Sequence, residues 1–302
     1  MIVAVASPSP PPPPSPPAAA VGVLTDPCGG AQELLKKYLS ASPCVFVRGQ
    51  ASVQATYSGS NTPVVLKQTH KGHTTFVNES SYAIGYPGVL LNIGVTPSSQ
   101  ITAVLPSFSR IGSSQTGSTI AGTADVEFRY KQMLYSDPKH GILGGMLLTY
   151  QAPSGSPGLT APGPAYEINP LLNIALNGAR TIGENLSFPV TNAPGEPAPN
   201  GGTPRTWSFA PQAVTFWRSP GGTLLAAVVQ YGFSTNATYL TLNAAQLLTR
   251  NLQIQGTYGG HNYGISNDNP AEDIGPATGI AYQRSFTIGL SYLVGRSEAL
   301  QR

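Results

Sequence analysis

The chain has 302 residues, of which only 10% are charged against the roughly 25% of an ordinary soluble domain, and 34 glycines and 29 prolines help fill the deficit. Mean hydropathy is −0.04 and the net charge is +3, with no basic run longer than the pair Lys36-Lys37, which excludes the electrostatic footprint of a nucleic-acid binder. The longest nearly apolar runs, GILGGMLLTY and TLLAAVVQYGF, fall short of the ~18 residues a spanning helix needs, so a helical membrane protein is excluded too.

Residues 1–25 read as a Pro-rich, low-complexity spacer, extended and without a core. The opening MIVAVA has no basic region and is too short for a full signal-peptide core. AVA before Ser7 also fits the end of a signal peptide that begins upstream, and both readings stand. In residues 26–44, Ala31, Leu34, Leu35 and Tyr38 recur at helical spacing, which predicts a short amphipathic helix of two to three turns. The only two cysteines, Cys28 and Cys44, bracket it. That placement predicts a disulfide in an oxidising compartment such as the periplasm, with two buried free thiols as the alternative. The spacing and the count exclude a CxxC redox or zinc site.

Residues 45–296 alternate strand and turn. In VFVRGQASVQATYS, Arg48, Gln50 and Gln54 share one side, opposite Val45, Val47, Val53 and Tyr57. GTADVEFRYKQML sets Asp125, Glu127, Arg129 and Lys131 against Val126, Phe128 and Tyr130. EINPLLNIALNG opposes Asn169, Asn173 and Asn177 to Ile168, Leu172, Ile174 and Leu176, and LQIQGTYGG puts Gln253 and Gln255 on one face. Repeated period-two segments of about ten residues with Asn, Gln, Ser and Thr on one face fit a barrel that is apolar outside and polar inside. The polar residues just named are then candidates to face the lumen. Acid and base alternate along the 125–131 strand, so neighbours can pair laterally and leave little net sign. ILGGMLLTY and LLAAVVQYGF are apolar on both faces, as if they packed against something inside. If Leu143, Leu147, Leu224 and Val228 face inward, part of the lumen is apolar and suits amphiphilic or aromatic solutes.

Tight turns such as SDPKHG and RSPGG alternate with long Pro/Gly/Asn loops, the asymmetry of an outer-membrane barrel with periplasmic turns and external loops. Aromatics at strand ends fit a membrane girdle, and also strand edges in any β protein. At about 20 residues per strand with its connection, roughly twelve strands fit. The expected fold is all-β: an antiparallel transmembrane β-barrel of about twelve strands, preceded by the Pro-rich segment and the disulfide-closed helix and followed by a tail at 297–302. Two other readings stay open. One is a secreted or surface β-sandwich that binds or assembles, adhesin- or capsid-like; the other is a closed structural barrel tethered through the spacer.

The last strand, TIGLSYLV, with Thr287, Gly289, Tyr292 and Val294, resembles the terminal signal by which Gram-negative outer-membrane proteins are recognised by the barrel assembly machinery; the chain continues beyond it as GRSEALQR. Residues 74–180 resemble the putative outer-membrane family of the phenol-degradation meta-pathway. The resemblance rests on a Gly-x-x-Asp strand (Gly122, Asp125), a Leu-rich strand ending in a Pro-x-Gly loop (Pro153, Gly155), and the strand EINPLLNIAL. It implies a barrel in the bacterial outer membrane, in contact with its lipid, passing small hydrophobic or aromatic solutes. No catalytic residues carry over.

Enzymatic patterns are missing. HKGH (His70, His73) lies in a Gly-containing segment without a carboxylate or thiol partner, and His261 with Ser266 lacks an orienting third group. No nucleophile elbow, phosphate loop or dinucleotide fingerprint occurs. The expectation is a non-enzyme with no cofactor and no metal, whose partners are lipid, the assembly machinery and a small solute, and not nucleic acid. Its solute and oligomeric state are left undetermined by these patterns.

Overall fold

The structure, a computed structural model, describes residues 28–29, 32–39, 41–70, 73–113, 118–195, 204–233, 237–267 and 277–295. The Pro-rich spacer and the tail at 297–302 lie outside the described residues. A helix, α1 (Glu33–Tyr38), comes first. The strand segments follow as β1 (Ala51–His70), β2 (His73–Thr96), β3 (Ser99–Leu105), β4 (Phe108–Ser113), β5 (Thr119–Thr123), β6 (Val126–Asp137), β7 (Ile142–Ala152) and β8 (Ala165–Ala175). The series continues with β9 (Ile182–Ser187), β10 (Val190–Pro194), β11 (Arg205–Phe209), β12 (Gln212–Arg218), β13 (Thr223–Gly232), β14 (Ala237–Leu247), β15 (Leu252–Asn267) and β16 (Ala277–Val294).

Four successive pairs of segments each continue as a single wall strand (β3 with β4, β5 with β6, β9 with β10, β11 with β12), so sixteen segments make twelve wall strands. Three of these breaks contain a proline, Pro106, Pro189 or Pro211, which has no N–H for the ladder. The fourth contains Ala124 and Asp125. Pairing is antiparallel throughout, and β1 lies between its neighbours in both directions: Ala51 is opposite Val294 of β16 and Ile93 of β2. The sheet therefore closes into a barrel, which removes the unpaired edges an open sheet would present.

The two faces of the wall differ as period two requires. On β16, Phe286, Ile288, Leu290, Tyr292 and Val294 are exposed, while Gly289, Ser291 and Leu293 are buried. The same outward series of large apolar side chains runs around the barrel, through Leu225 and Val229 of β13, Leu240 and Leu242 of β14 and Phe128 and Tyr130 of β6. A soluble monomer seldom exposes so continuous an apolar surface, whereas a barrel surrounded by lipid must. Exposed aromatics gather near both ends. Tyr135, Trp217 and Tyr292 stand beside the short turns, whereas Tyr150 packs on Tyr166 and Phe209 on Phe233 toward the opposite end. Tyr57, Tyr86, Phe108 and Phe286 continue the series across neighbouring strands.

The short turns 97–98, 138–141, 219–222 and 248–251 share one end of the barrel with Ala51 and Val294, the two ends of the wall. Residues 45–50 differ from the alternation expected of them. Val45, Phe46 and Val47 are buried coil, a turn with Gly49 at φ +85° follows, and the wall begins only at Ala51. The helix likewise has six residues, not two to three turns. Both differences have one cause: this part of the chain lies inside the barrel, where burial against the wall decides its conformation. A helix this short is marginal by itself and depends on that packing.

The barrel interior as candidate functional site

The described residues between 28 and 50 (28–29, 32–39 and 41–50) lie in the interior near the short-turn end. Leu35 is 0% exposed and packs with Leu39 against Val214 and Phe216 of β12, Leu224, Ala226 and Val228 of β13, and Ala245 of β14. Leu34 turns the other way, onto Phe46 and Leu293. The Cys28–Cys44 disulfide, with Cα atoms 5.8 Å apart, packs against Leu143 of β7. Leu143 of β7 and Leu224, Ala226 and Val228 of β13 thus meet the segment.

Polar groups fasten the segment as well. Gln50 sits at the centre of a buried network: its Nε2 donates to Glu33 Oε1 (2.8 Å), and its Oε1 accepts from Lys37 Nζ (3.0 Å) and Val47 N–H (3.1 Å). Lys37 also donates to Glu33 at 2.5 Å, so the two buried charges are paired, as burial demands. Phe46 N–H donates to Gln100 Oε1 of β3 (2.8 Å), Lys131 Nζ of β6 to Ser42 O (3.0 Å), and Gln32 Nε2 to Ser219 O in a short turn (2.5 Å). Gly94 N–H donates to Gln50 O (2.9 Å), and a Cβ there would lie 1.9 Å from Val47 O, so only glycine admits the segment so close to β2.

The segment divides the interior. On its short-turn side is a cavity of about 360 Å³ beside Cys28, Leu35, Arg180 and Arg218. On its other side is a cavity of about 340 Å³. One wall of the latter is polar, built from Ser52, Asn92, Gln100, Thr102, Gln253 and Gln255; the other carries Leu39, Leu147, Val214 and Val228, with Gln212 beside them. Arg129 and Lys131 also reach it. Tyr38 borders it too, and burial pushes its hydroxyl up to about 12, so it remains neutral. Arg129 is shared with a third recess of about 270 Å³ that holds Glu127, Glu167 and Gln230.

The polar residues singled out by alternation take several positions. Gln54, Arg129, Lys131, Gln253 and Gln255 border the central cavity. Gln253 donates to Gln255 Oε1 (2.6 Å), which also accepts from Ser291 Oγ (3.0 Å). Glu127 pairs with Arg129, lateral pairing along the strand, whereas Lys131 turns to the segment. Asn169 borders the third recess and accepts Phe188 N–H (3.0 Å); Asn173 donates to Asn185 Oδ1 (2.6 Å). Glu127 lines the third recess with Asn169, and Asn173 the short-turn cavity, whereas Arg48, Gln50, Asn177 and Asp125 line none of the three. Arg48 is in the exposed turn before β1, Gln50 lies within the segment's own network, and Asn177 caps a short turn by accepting Thr181 N–H (2.9 Å). The side chains of His70, His73 and His261 lie outside the described ones. Of the last-strand residues, Tyr292 and Val294 face outward, and Gly289 is buried.

Asp125 stands apart. It lies in the break between β5 and β6 and accepts Ser154 N–H (2.9 Å), Gly155 N–H (2.8 Å), Ala161 N–H (3.0 Å), Thr160 Oγ1 (2.7 Å) and Gln151 Nε2 (3.1 Å). Ser156 Oγ lies 2.9 Å from Thr123 N and would be struck by a Cβ on Gly122. The Gly-x-x-Asp and Pro-x-Gly motifs therefore meet, and together they hold the 153–164 loop to the wall. Alternation alone gave no signal for the segment's anchors Gln100, Gly94 and Glu33; glycine on the inner face of an otherwise regular strand is the one sequence hint of a close approach.

A closed twelve-stranded wall, apolar outside and mixed inside, defines the outer-membrane type of β-barrel. Among solved structures the chain is similar to the COG4313 outer membrane channel from Pseudomonas putida F1, at 14% identity and a TM-score of 0.53, over 81% of this chain and 97% of that one. It is also similar to the NanC porin (11% identity, TM-score 0.44, over 80% and 98%). A third is the P. putida toluene transporter TodX (7% identity, TM-score 0.43, over 82% and 90%). The first likeness shows a shared fold. No family model matches the chain, and no curated protein matches it.

Proposed function

We propose that the protein is a bacterial outer-membrane channel for small amphiphilic or aromatic solutes, with the N-terminal segment seated as a plug. The observation that carries this reading is the cavity of about 340 Å³ inside the wall, with amides and hydroxyls on one side and Leu39, Leu147, Val214 and Val228 on the other. A wide aqueous pore would be polar all round, whereas a two-sided lumen favours solutes with an apolar body and a polar end. In this reading the short turns and the plug are periplasmic, the long loops external, and Thr287, Gly289, Tyr292 and Val294 are read by the assembly machinery. Gln54, Arg129, Lys131, Gln253 and Gln255 form the polar track. The meeting of the Gly-x-x-Asp and Pro-x-Gly motifs supports kinship with the meta-pathway outer-membrane family.

The test is uptake of radiolabelled aromatic solutes by liposomes containing the folded full chain, with planar-bilayer recording alongside. Uptake above that of empty liposomes, with small and intermittent conductance, is the expected result. A protein that stays in solution without detergent, or folded barrels that pass neither ions nor aromatics even after the plug is loosened, would overturn it. The second outcome favours a closed structural barrel, a reading to which the tight seam around Leu35 lends weight.

A further inference from the structure

We infer that the central cavity is a binding site for a monocarboxylate with an apolar body and a hydroxyl group, its carboxylate seated on Lys131. The inference deepens the channel reading and rests on it.

Lys131 is 6% exposed, and its ammonium makes one hydrogen bond, to Ser42 O at 3.0 Å. A protonated lysine has three N–H donors, so two are left over at a side chain that lines the cavity. The nearby charges are committed elsewhere: Glu127 to Arg129, and Glu33 to Lys37. An ammonium removed from water without an anion is costly, and a carboxylate in contact offsets that cost with a charge-assisted hydrogen bond. Arg129 on the same wall adds positive potential, although its own partner is Glu127.

A second group points to the ligand independently. Gln253 is 0% exposed and borders the same cavity, and its Oε1 has no hydrogen-bond partner. A buried amide oxygen without a donor is rare, and it asks for an O–H or N–H from whatever fills the space. The carboxylate on Lys131 and a donor for Gln253 set the two polar ends, while Leu147, Val214 and Val228 set the apolar side. A volume of about 340 Å³ falls at the lower end of the ~300–1,000 Å³ of small-molecule sites, which suits a one-ring or short-chain acid.

The experiment is isothermal titration of the full chain, folded in a non-ionic detergent, with 4-hydroxybenzoate, benzoate and 4-hydroxybenzyl alcohol. Expected are saturable one-site binding of 4-hydroxybenzoate, weaker binding of benzoate, and at least tenfold weaker binding of the uncharged alcohol. Lys131→Gln should weaken 4-hydroxybenzoate tenfold or more. Because Lys131 also holds Ser42, Gln253→Leu provides a second arm: it should reduce 4-hydroxybenzoate to the level of benzoate and leave benzoate unchanged. No saturable binding, equal binding of acid and alcohol, a folded Lys131→Gln protein that binds as before, or a Gln253→Leu protein that still prefers the hydroxyl each overturns the site. Liposome uptake separates the two claims. Uptake without saturable binding sinks the site alone, and binding without uptake sinks the channel.

Discussion

Asp125 Oδ1 accepts the Gly155 N–H at 2.8 Å, tying the break between β5 and β6 to the loop that follows β7, thirty residues further along the chain. The same carboxylate accepts Ser154 and Ala161 N–H, Thr160 Oγ1 and Gln151 Nε2, so one side chain takes five donors from that loop and its neck. Asp125→Ala leaves those donors to water and should destabilise the loop locally by about 1–3 kcal/mol. Hydrogen exchange at 153–164 should then rise while the wall strands keep their protection. Unchanged exchange there would show that the loop is held by Ser156 and Thr123 alone.

The seam between plug and wall predicts a separation of two stabilities. Leu35 has no exposed surface and fills the space among Val214, Phe216, Leu224 and Val228, so Leu35→Ala should cost about 2–5 kcal/mol. That loss falls on the seating of the plug, because the barrel's ladders do not depend on the side chain. Gly94→Val attacks the same seating from the wall, since even a Cβ there meets Val47 O at 1.9 Å. Both variants should keep the gel mobility shift of a folded barrel on boiling and raise single-channel conductance. If either unfolds the barrel without opening it, the segment is part of the folding core and not a separable plug.

These relationships show what alternation along a chain reveals and what it hides. Period two assigns a face, and Phe286, Ile288, Leu290 and Tyr292 were readable as one surface because lipid or core demands the same apolar row. Apolar residues on both faces of β7 and β13 announced an occupant in the interior, and Leu35, Leu39 and the disulfide are that occupant. Depth and partner, however, are set by distant residues. Asp125, Glu127, Arg129 and Lys131 look equivalent on one face, yet they serve a loop, each other and the plug respectively. Val45 to Val47 read as strand because β-branched residues suit one, but inside a closed barrel no edge is free for them to join.

Loss of the Cys28–Cys44 bond should act on the plug and spare the wall. The bond closes a loop of about 15 residues, for which the chain-entropy argument gives about 3 kcal/mol. Both cysteines are buried, so reductant should act only when the segment opens, and opening should be faster in the Leu35→Ala background. A Cys28→Ser, Cys44→Ser double variant should therefore show protease cleavage within 28–50 and higher conductance, with barrel melting little changed. Resistance to protease equal to that of the oxidised chain would mean that the hydrogen bonds of Gln50, Gln100 and Lys131 suffice.

The outward surface makes the most direct prediction about the membrane. Ile288 faces out in the middle of the β16 row, opposite Tyr57 of β1, while Thr287 beside it borders the central cavity. In lipid an arginine at the bilayer midplane costs about 2–4 kcal/mol, but a polar lumen accepts one readily. Ile288→Arg should thus lower barrel stability in phospholipid vesicles by that amount, measured by reversible denaturant unfolding, whereas Thr287→Arg should cost much less and reduce conductance instead. Trp207, 71% exposed, and Trp217 supply a second reading from the same vesicles, since both should be quenched by brominated acyl chains. Equal costs for the two arginines, with tryptophans indifferent to brominated lipid, would show that the apolar outer face meets protein rather than membrane.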